Sequence, residues 1–422
     1  MPVNLPPVPT SVKHAPPRNG NAPRPRGRVP LSSVCYIVPY PQNTTNHGSR
    51  SMQIESIEAF LLDIPLRAPL RHPGGQWDHL QTVLVAMRSQ GLTGWGEASP
   101  GNAPTIGEEY AAGVLQSLRD WLVPALVKTA VDTGDELQER LAAFRGNRYA
   151  KAALDLAWWD LRARQEGKPL HQMLQGVQPS VAVGPNFDQM ETIEQFFEAI
   201  SRAEKAGFSR VGLKFRPGWD VQMLNFFRHE FPTIDAHIDC EGGLRLDHME
   251  MLCRLDDFTL SMIEQPLPPD DLVGHAMVQE AIRTPICLDE AINNLAQADM
   301  ALELHSCRFV KIEPGRVGGL TPAMQIDASC RTSNIPCWAG IPVQTAVGQR
   351  HALALAARQN FTYPADYVQP EEGLVDDVAP AAQPQIDPTD QIQRVPLWPE
   401  LGIGVAPDLA QIEKFCVARF QL

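Results

Sequence analysis

Five charged residues end consecutive apolar, strand-like segments, and this is the feature that most restricts the fold. They are separated by 25, 25, 25 and 22 residues, each close to the length of one strand, one helix and two loops. Parallel strands joined by helical crossovers place their carboxyl ends on one face, where barrel enzymes keep their active sites. The pattern therefore predicts a (β/α) TIM-type barrel with these residues at its mouth: Lys214, Asp239, Glu264, Asp289 and Lys311.

The segment that follows Ser180 alternates short apolar strands with amphipathic helices. A strand at 181–183 is followed by a helix at 192–206 and a strand at 211–215. Hairpin signals are missing between these strands, so the pattern indicates parallel strands with crossover helices. We assign residues 179–368 to the barrel.

A different pattern covers residues 52–178. Alternating apolar residues begin at Met52, two further strands are predicted around 82–97, and a long helix is predicted at 148–165. Strands that precede helices are typical of a separate α+β domain. We expect this domain to cap the barrel, and we expect residues 369–422 to return to it.

The first 51 residues have a different composition from the rest. Residues 1–50 contain eleven prolines, six Lys or Arg and no acidic residue. Such a segment buries too little apolar surface to offset the entropy of ordering it. We predict a disordered, Pro-rich extension at 1–51, and a mis-assigned start codon is the alternative.

Charge and hydropathy exclude several classes of protein. The formal net charge of −13 argues against nucleic acid or an anionic membrane as a partner. No apolar run reaches the 18 or so residues that a spanning helix needs, and no signal-peptide core is evident, so we expect a cytoplasmic protein. The eight cysteines are irregularly spaced without a CxxC pair, which predicts neither a disulfide framework nor a zinc site.

The three acidic strand ends point to a metal. Taken singly, a charged residue at a strand end is usually solvated. Asp239, Glu264 and Asp289 in consecutive units would repel one another and raise their own pKa values without a cation between them. Three carboxylates, completed by water and substrate oxygens, suit Mg²⁺, or Mn²⁺ in its place.

The two lysines flank this cluster in strand order. A free lysine is a poor base at neutral pH, but nearby Mg²⁺, a second ammonium and apolar walls favour the neutral amine. A base with a pKa near roughly 7 to 8 would suit the removal of a weakly acidic proton. Lys214 and Lys311 on opposite sides of a metal imply abstraction of a proton next to a carboxylate, with the resulting enediolate held on the metal.

The residues around these positions resemble a known family. Lys214-Phe-Arg-Pro-Gly-Trp-Asp, Ile263-Glu-Gln-Pro, Leu288-Asp-Glu and Lys311-Ile-Glu-Pro-Gly-Arg-Val-Gly-Gly are similar to the muconate-lactonizing subgroup of the enolase superfamily. Within it, the o-succinylbenzoate synthases and N-succinylamino acid racemases are most similar. The resemblance spans about residues 52–405, and it implies an enolase-like, modified barrel with an N-terminal capping domain.

The resemblance also assigns roles. It makes Asp239, Glu264 and Asp289 the metal ligands, Lys214 the acid/base on the second barrel strand, and Lys311 the opposing lysine on the sixth. Several positions depart from the family pattern: Gly212 stands where a lysine is usual, Glu241 where Asn is usual, and, in the late segment 338–345, Ile341-Pro342 where Gly-Met and Gln344 where Glu are usual.

Three functions remain open at this level. The first is a lyase that dehydrates a cyclohexadiene carboxylate to the menaquinone precursor o-succinylbenzoate, with Lys311 as a cation that stabilises the enediolate. The second is an N-succinylamino acid racemase or dipeptide epimerase, in which both lysines act as bases. The third is a non-catalytic barrel, and the departures from the family pattern at Gly212 and Glu241 are the reason to consider it. We expect a small-molecule carboxylate as substrate, selected by capping-domain loops near 66–77, and self-association into a homo-oligomer stays open.

Overall fold

The computed structural model describes residues 51–72, 75–105 and 107–422. The disordered extension that we predict for residues 1–51 therefore lies, except for Ser51, outside the described residues. Within the described residues, no helix is both long and apolar enough to cross a membrane. The seven cysteines in this part of the chain are free, and Cys240, Cys287, Cys307 and Cys337 are buried.

The capping domain is built on a four-stranded antiparallel sheet. The C-terminal strand Cys416–Gln421 forms one edge beside β1, and the order continues through β2 to β3. Its first three strands are β1 (Ser56–His72), β2 (Gly75–Ser89) and β3 (Leu92–Ala98). The segment at 66–77, which we expected to be a loop, is thus largely the far end of the β1–β2 ribbon, because Leu70 and Trp77 continue the cross-strand pairing.

Helices cover one face of this sheet. The helix predicted at 148–165 is confirmed, and its small and apolar residues pack on β3. Close packing needs glycine here, since a β-carbon at Gly96 would lie 2.1 Å from the carbonyl oxygen of Ala153. The helices are α1 (Ala111–Ser117), continued by a π-helical turn at Leu118–Leu122, then α2 (Gly134–Leu141), α3 (Arg148–Gln165) and α4 (Leu170–Met173).

Eight parallel strands form the barrel. Each pairs with the next in chain order from β4 to β10, and β11 returns to pair in parallel with β4. The strands are β4 (Ser180–Phe187), β5 (Arg210–Lys214), β6 (Asp235–Asp239), β7 (Ile263–Glu264), β8 (Ile286–Leu288), β9 (Phe309–Ile312), β10 (Cys337–Ala339) and β11 (Ala365–Tyr367).

Crossover helices surround the strands, and several begin at a residue whose side chain accepts a hydrogen bond from the first turn. Thr192, Asp220, Asp271, Asn294 and Thr345 are such caps. The helices are α5 (Ile193–Lys205), α6 (Val221–Glu230), α7 (Met249–Arg254), α8 (Leu272–Ala281), α9 (Leu295–Glu303), α10 (Pro314–Val317), α11 (Leu320–Thr332) and α12 (Ala346–Ala356). Short 3₁₀ turns at Leu246–His248 and Leu255–Phe258 flank α7.

The chain ends in the capping domain. Strands β12 (Gln385–Ile386) and β13 (Gln393–Pro396) form a short hairpin whose second strand pairs with β4. Helix α13 (Leu409–Phe415) then leads into β14 (Cys416–Gln421), which pairs with β1. The first and last strands of the described chain thus share one sheet.

Candidate active site

The structure brings the five predicted residues together at the carboxyl ends of the barrel strands. Lys214, Asp239 and Glu264 are the last residues of β5, β6 and β7, whereas Asp289 follows β8 directly. Lys311 differs, because it is the third of the four residues of β9. A cavity of about 410 Å³ opens above them and reaches the β1 segment 68–71.

Lys214 lies between two carboxylates. Its Nζ donates to Asp239 Oδ2 at 2.8 Å and to Glu241 Oε1 at 2.6 Å. Burial disfavours the charged ammonium, but the negative charges of Asp239 and Glu241 outweigh burial and raise the pKa of Lys214 above its ordinary value. The depressed pKa that we expect depends on a cation bound beside the amine, so it stays a prediction, and Glu241 adds a second carboxylate that opposes it.

Lys311 is held deep in the barrel. Its Nζ lies 2.9 Å from Glu264 Oε1, 3.1 Å from Asp366 Oδ2 and 4.7 Å from the centre of the Trp338 ring. Burial opposes the charge, but Asp366 and the other carboxylates prevail and hold the pKa of Lys311 well above its usual range. Lys311 is therefore a fixed, buried cation.

The three acidic residues each face a cationic side chain. Asp239 pairs with Lys214, Glu264 with Lys311, and Asp289 with Arg316. Across the described ranges, no group of three or more His, Cys, Asp or Glu side chains is arranged to hold a metal ion. The metal-ligand set that the sequence indicates thus remains a prediction.

The buried carboxylate of Glu264 nevertheless lacks a hydrogen-bond partner for one of its oxygens. It is 1% exposed, and burial, followed by the charge of Asp239, raises its pKa well above the ordinary value. Its Oε2 makes no hydrogen bond, although His237 Nε2 lies 3.3 Å away. Burial, followed by the charge of Arg210, lowers the pKa of His237 to about 3, so the imidazole is neutral and leaves the carboxylate uncompensated on that side. A hard cation suits this donor set.

Gly212 is explained by its neighbours. A β-carbon there would lie 2.1 Å from Asn186 Oδ1 and 2.8 Å from His237 Cε1, so the space that a lysine side chain would enter is filled. Asn186 Oδ1 in turn accepts a hydrogen bond of 2.7 Å from the side chain of Arg210. Arg210 lies two residues before Gly212 on β5, so the two residues share one face of that strand. The fully buried Arg210 also bonds Asp366 Oδ1 at 3.0 Å.

The sequence analysis missed three further groups at this site. Asp366, on β11, joins Arg210 to Lys311. Glu313, which follows β9, accepts a hydrogen bond from Tyr149 of the capping domain, and Arg316 bonds both Glu313 and Asp289. A charge directly after an apolar strand is the signal that would have found Glu313.

The late segment that departs from the family pattern also reaches the site. Ile341 and Pro342 line the 410 Å³ cavity. Gln344 instead lines a small neighbouring pocket together with Glu97 and Glu313. The carboxylate of Glu97 is already bound by the backbone N–H groups of Thr345 and Gly348, so it holds the start of α12 against the capping domain.

Comparison with known proteins agrees with this architecture. Residues 56–175 match the N-terminal domain of mandelate racemase and muconate lactonizing enzyme, and residues 195–411 match the enolase C-terminal domain-like family. An o-succinylbenzoate synthase of Geobacillus kaustophilus is 36% identical over 366 residues, which is 86% of this chain and 96% of that protein. An N-succinylamino acid racemase of Thermus thermophilus is 33% identical over 363 residues, or 86% of this chain and 97% of that protein.

A solved structure gives the same answer for the fold. The crystal structure of an enolase superfamily member from Listeria innocua superposes with a TM-score of 0.83 at 28% identity, covering 88% of this chain and 99% of that one. Both the family resemblance and the barrel with its N-terminal capping domain are confirmed. The chain belongs to the mandelate racemase and muconate lactonizing enzyme family of the enolase superfamily.

Proposed function

We propose that this protein is a metal-dependent lyase that dehydrates a hydroxylated cyclohexadiene carboxylate to o-succinylbenzoate, a precursor of menaquinone. Relatives named o-succinylbenzoate synthase at 33–36% identity over some 85% of the chain support this reaction. The substrate is a small-molecule carboxylate, and we expect the protein to act in the cytoplasm.

One observation carries the proposal: the two lysines have different surroundings. Both lysines line the cavity, but Lys214 ends β5 with its side chain 26% exposed, whereas Lys311 lies within β9 with its side chain 11% exposed. In a dehydration, Lys214 takes the proton alpha to the carboxylate and returns it to the hydroxyl, which departs as water on the same face. Lys311 keeps its proton throughout and contributes positive charge.

We assign Asp239, Glu264 and Asp289 as the ligands of Mg²⁺, or of Mn²⁺ in its place. Support comes from the buried Glu264 Oε2, which makes no hydrogen bond, and from the hard oxygen donors of all three residues. When bound there, Mg²⁺ would supply positive charge that stabilises negative charge developing on the substrate carboxylate and weakens the hold of Asp239 on the Lys214 proton.

The second candidate is a racemase, which is supported by the similarity to the N-succinylamino acid racemase of Thermus thermophilus. It needs an amine on each face of the substrate, and Lys311 lies inside β9 beside Glu264 and Asp366 instead of at the end of its strand. The third candidate, a non-catalytic barrel, rests on Gly212 and Glu241.

The test is to incubate the purified protein and Mg²⁺ with three substrates: the hydroxylated cyclohexadiene carboxylate, an N-succinylamino acid and an alanyl dipeptide. We expect rapid formation of o-succinylbenzoate from the first. Rapid turnover of the second or third, with none of the first, would establish the racemase or epimerase. If the protein turned over none of the three substrates, the non-catalytic barrel would be the remaining candidate.

A further inference from the structure

Glu313, rather than Lys311, stands opposite Lys214 at the height of the strand ends. Strands β5 and β9 are the second and sixth of the eight barrel strands, so they lie across the mouth from one another. Strand β5 ends at Lys214 and strand β9 at Ile312, with Glu313 next in extended conformation. Side chains two residues apart share a face, so Lys311 and Glu313 point the same way.

Contacts with Gly340 confirm this shared direction. A β-carbon at Gly340 would lie 2.9 Å from Lys311 Cε and 3.5 Å from Glu313 Cβ. Two residues of a strand rise by roughly 6.6 Å, so Lys311 starts about that much deeper than Glu313. Lys311 contacts Glu264 and Asp366 at this depth and Glu313 lies above it, and both side chains line the cavity with Lys214.

Both carboxylate oxygens of Glu313 are occupied by donors. Tyr149 donates its phenolic O–H to Oε1 at 2.7 Å, and Arg316 Nη2 donates to Oε2 at 2.7 Å. Burial and the charge of Glu313 raise the pKa of Tyr149 well above its ordinary value, so the phenol keeps its proton. Both oxygens of this carboxylate are thus engaged by donors of the protein itself, one of them a cation.

We propose that Glu313, held by Tyr149 and Arg316, occupies the position of a second base, and that the site therefore moves a proton on only one face of its substrate, through Lys214. This inference rests on the proposed function and narrows its substrate class. The substrate is a carboxylate with a leaving hydroxyl on the same face as the alpha proton. The C–H and C–O bonds break, a C=C bond forms, and the Lys214 proton leaves with the hydroxyl as water.

The experiment is solvent exchange followed by ¹H NMR in D₂O with Mg²⁺ present, using the D and L forms of N-succinylphenylalanine as probes. In the wild-type protein, the alpha proton of one enantiomer should exchange at least about 100-fold faster than that of the other, since general-base catalysis is worth that much or more. No racemisation should accompany the exchange. Equal exchange of both enantiomers would overturn the inference and leave the proposed function standing.

Two substitutions at Glu313 test whether this residue occupies the position of the second base. Glu313→Lys places an amine opposite Lys214, so it should gain exchange of the second enantiomer, while Glu313→Gln should keep the one-sided pattern. Binding of o-succinylbenzoate, measured by calorimetry, shows that each variant still forms the site. A Glu313→Lys protein that binds the product but gains no second exchange would refute the assignment of Glu313.

Two other outcomes are also decisive. If the wild-type protein exchanges both enantiomers, and Lys311→Met still binds o-succinylbenzoate but loses the exchange of only one of them, Lys311 is a base and the inference is wrong. If the wild-type protein exchanges neither enantiomer and does not dehydrate the cyclohexadiene carboxylate, the proposed function fails, and the inference fails with it.

Discussion

Asp366 places its Oδ2 3.1 Å from Nζ of Lys311, inside the barrel. Its other oxygen lies 3.0 Å from Arg210 Nη2, so one carboxylate joins two buried cations. The two cations, Lys311 first and then Arg210, outweigh the effect of burial and hold the pKa of Asp366 below its ordinary value. The carboxylate that they share explains how Lys311 and Arg210 are both tolerated inside the barrel.

Replacing this carboxylate should destabilise the fold. Asp366→Asn leaves two buried cations without their shared partner, and we expect the free energy of unfolding to fall by about 3 kcal/mol. Urea denaturation followed by circular dichroism measures the change. The control is Asp390→Asn, which removes an exposed ion pair with Arg394 and should leave the unfolding midpoint unchanged. Equal effects of the two substitutions would contradict the role of Asp366.

Metal binding should depend on the three strand-end carboxylates. We expect one Mg²⁺ or Mn²⁺ to bind with an oxygen of Asp239, Glu264 and Asp289 each about 2.0 to 2.2 Å away. Glu264→Gln should weaken binding at least tenfold by calorimetry, because it removes the charge of the most buried ligand. Glu372→Gln is the matched control, since Glu372 lines the same cavity and should not change the metal affinity. A crystal grown with Mn²⁺ that shows no ion among the three carboxylates would disprove the site.

The two lysines should respond differently to substitution. Lys214→Met should reduce dehydration about 1,000-fold, because it removes the amine that takes the alpha proton and returns it to the hydroxyl. Lys311→Arg keeps a cation and should retain part of the activity. Steady-state kinetics on the cyclohexadiene carboxylate separates these cases, with product binding as the control for a formed site. Equal loss in both variants would show that Lys311 also transfers a proton.

Local sequence predicted those parts of the site that depend on one strand at a time. Lys214, Asp239 and Glu264 each close an apolar run, and the structure ends a strand at each of them. On β9 the same reasoning was ambiguous, because Lys311 and Glu313 alternate with apolar residues on one strand face. Only the end of the strand at Ile312 shows which of the two is level with Lys214.

Other features depend on contacts between distant segments. Asp366 sits in the middle of the three-residue strand β11, too short to be recognised from its pattern, and its partners are 55 and 156 residues away. The raised pKa of Lys214 depends on Glu241, whose φ of 47° turns the chain back toward the amine after β6. Sequence patterns carry no information on either contact.

The contact between the capping domain and the barrel should give the protein a defined pH dependence. Asp155, buried in α3, accepts hydrogen bonds from Gln138 Nε2 at 2.8 Å and from the backbone N–H of Thr321 at 3.0 Å. Burial outweighs these bonds and raises its pKa from 3.8 to about 6. Between these values the folded protein binds more protons than the unfolded chain, so this group lowers stability as pH rises from about 4 to 6.

Asp155→Asn should remove that dependence. Asparagine still offers an oxygen to Thr321 but carries no charge, so the variant should gain stability relative to wild type as pH rises from about 4 to 6. The expected gain is about 2 to 3 kcal/mol, from roughly 1.4 kcal/mol for each pKa unit. Urea unfolding of both proteins at pH 4, 5, 6 and 7 measures the difference, which should level off above pH 6. A difference that is constant across this range would show that Asp155 does not titrate with the raised pKa that its burial implies.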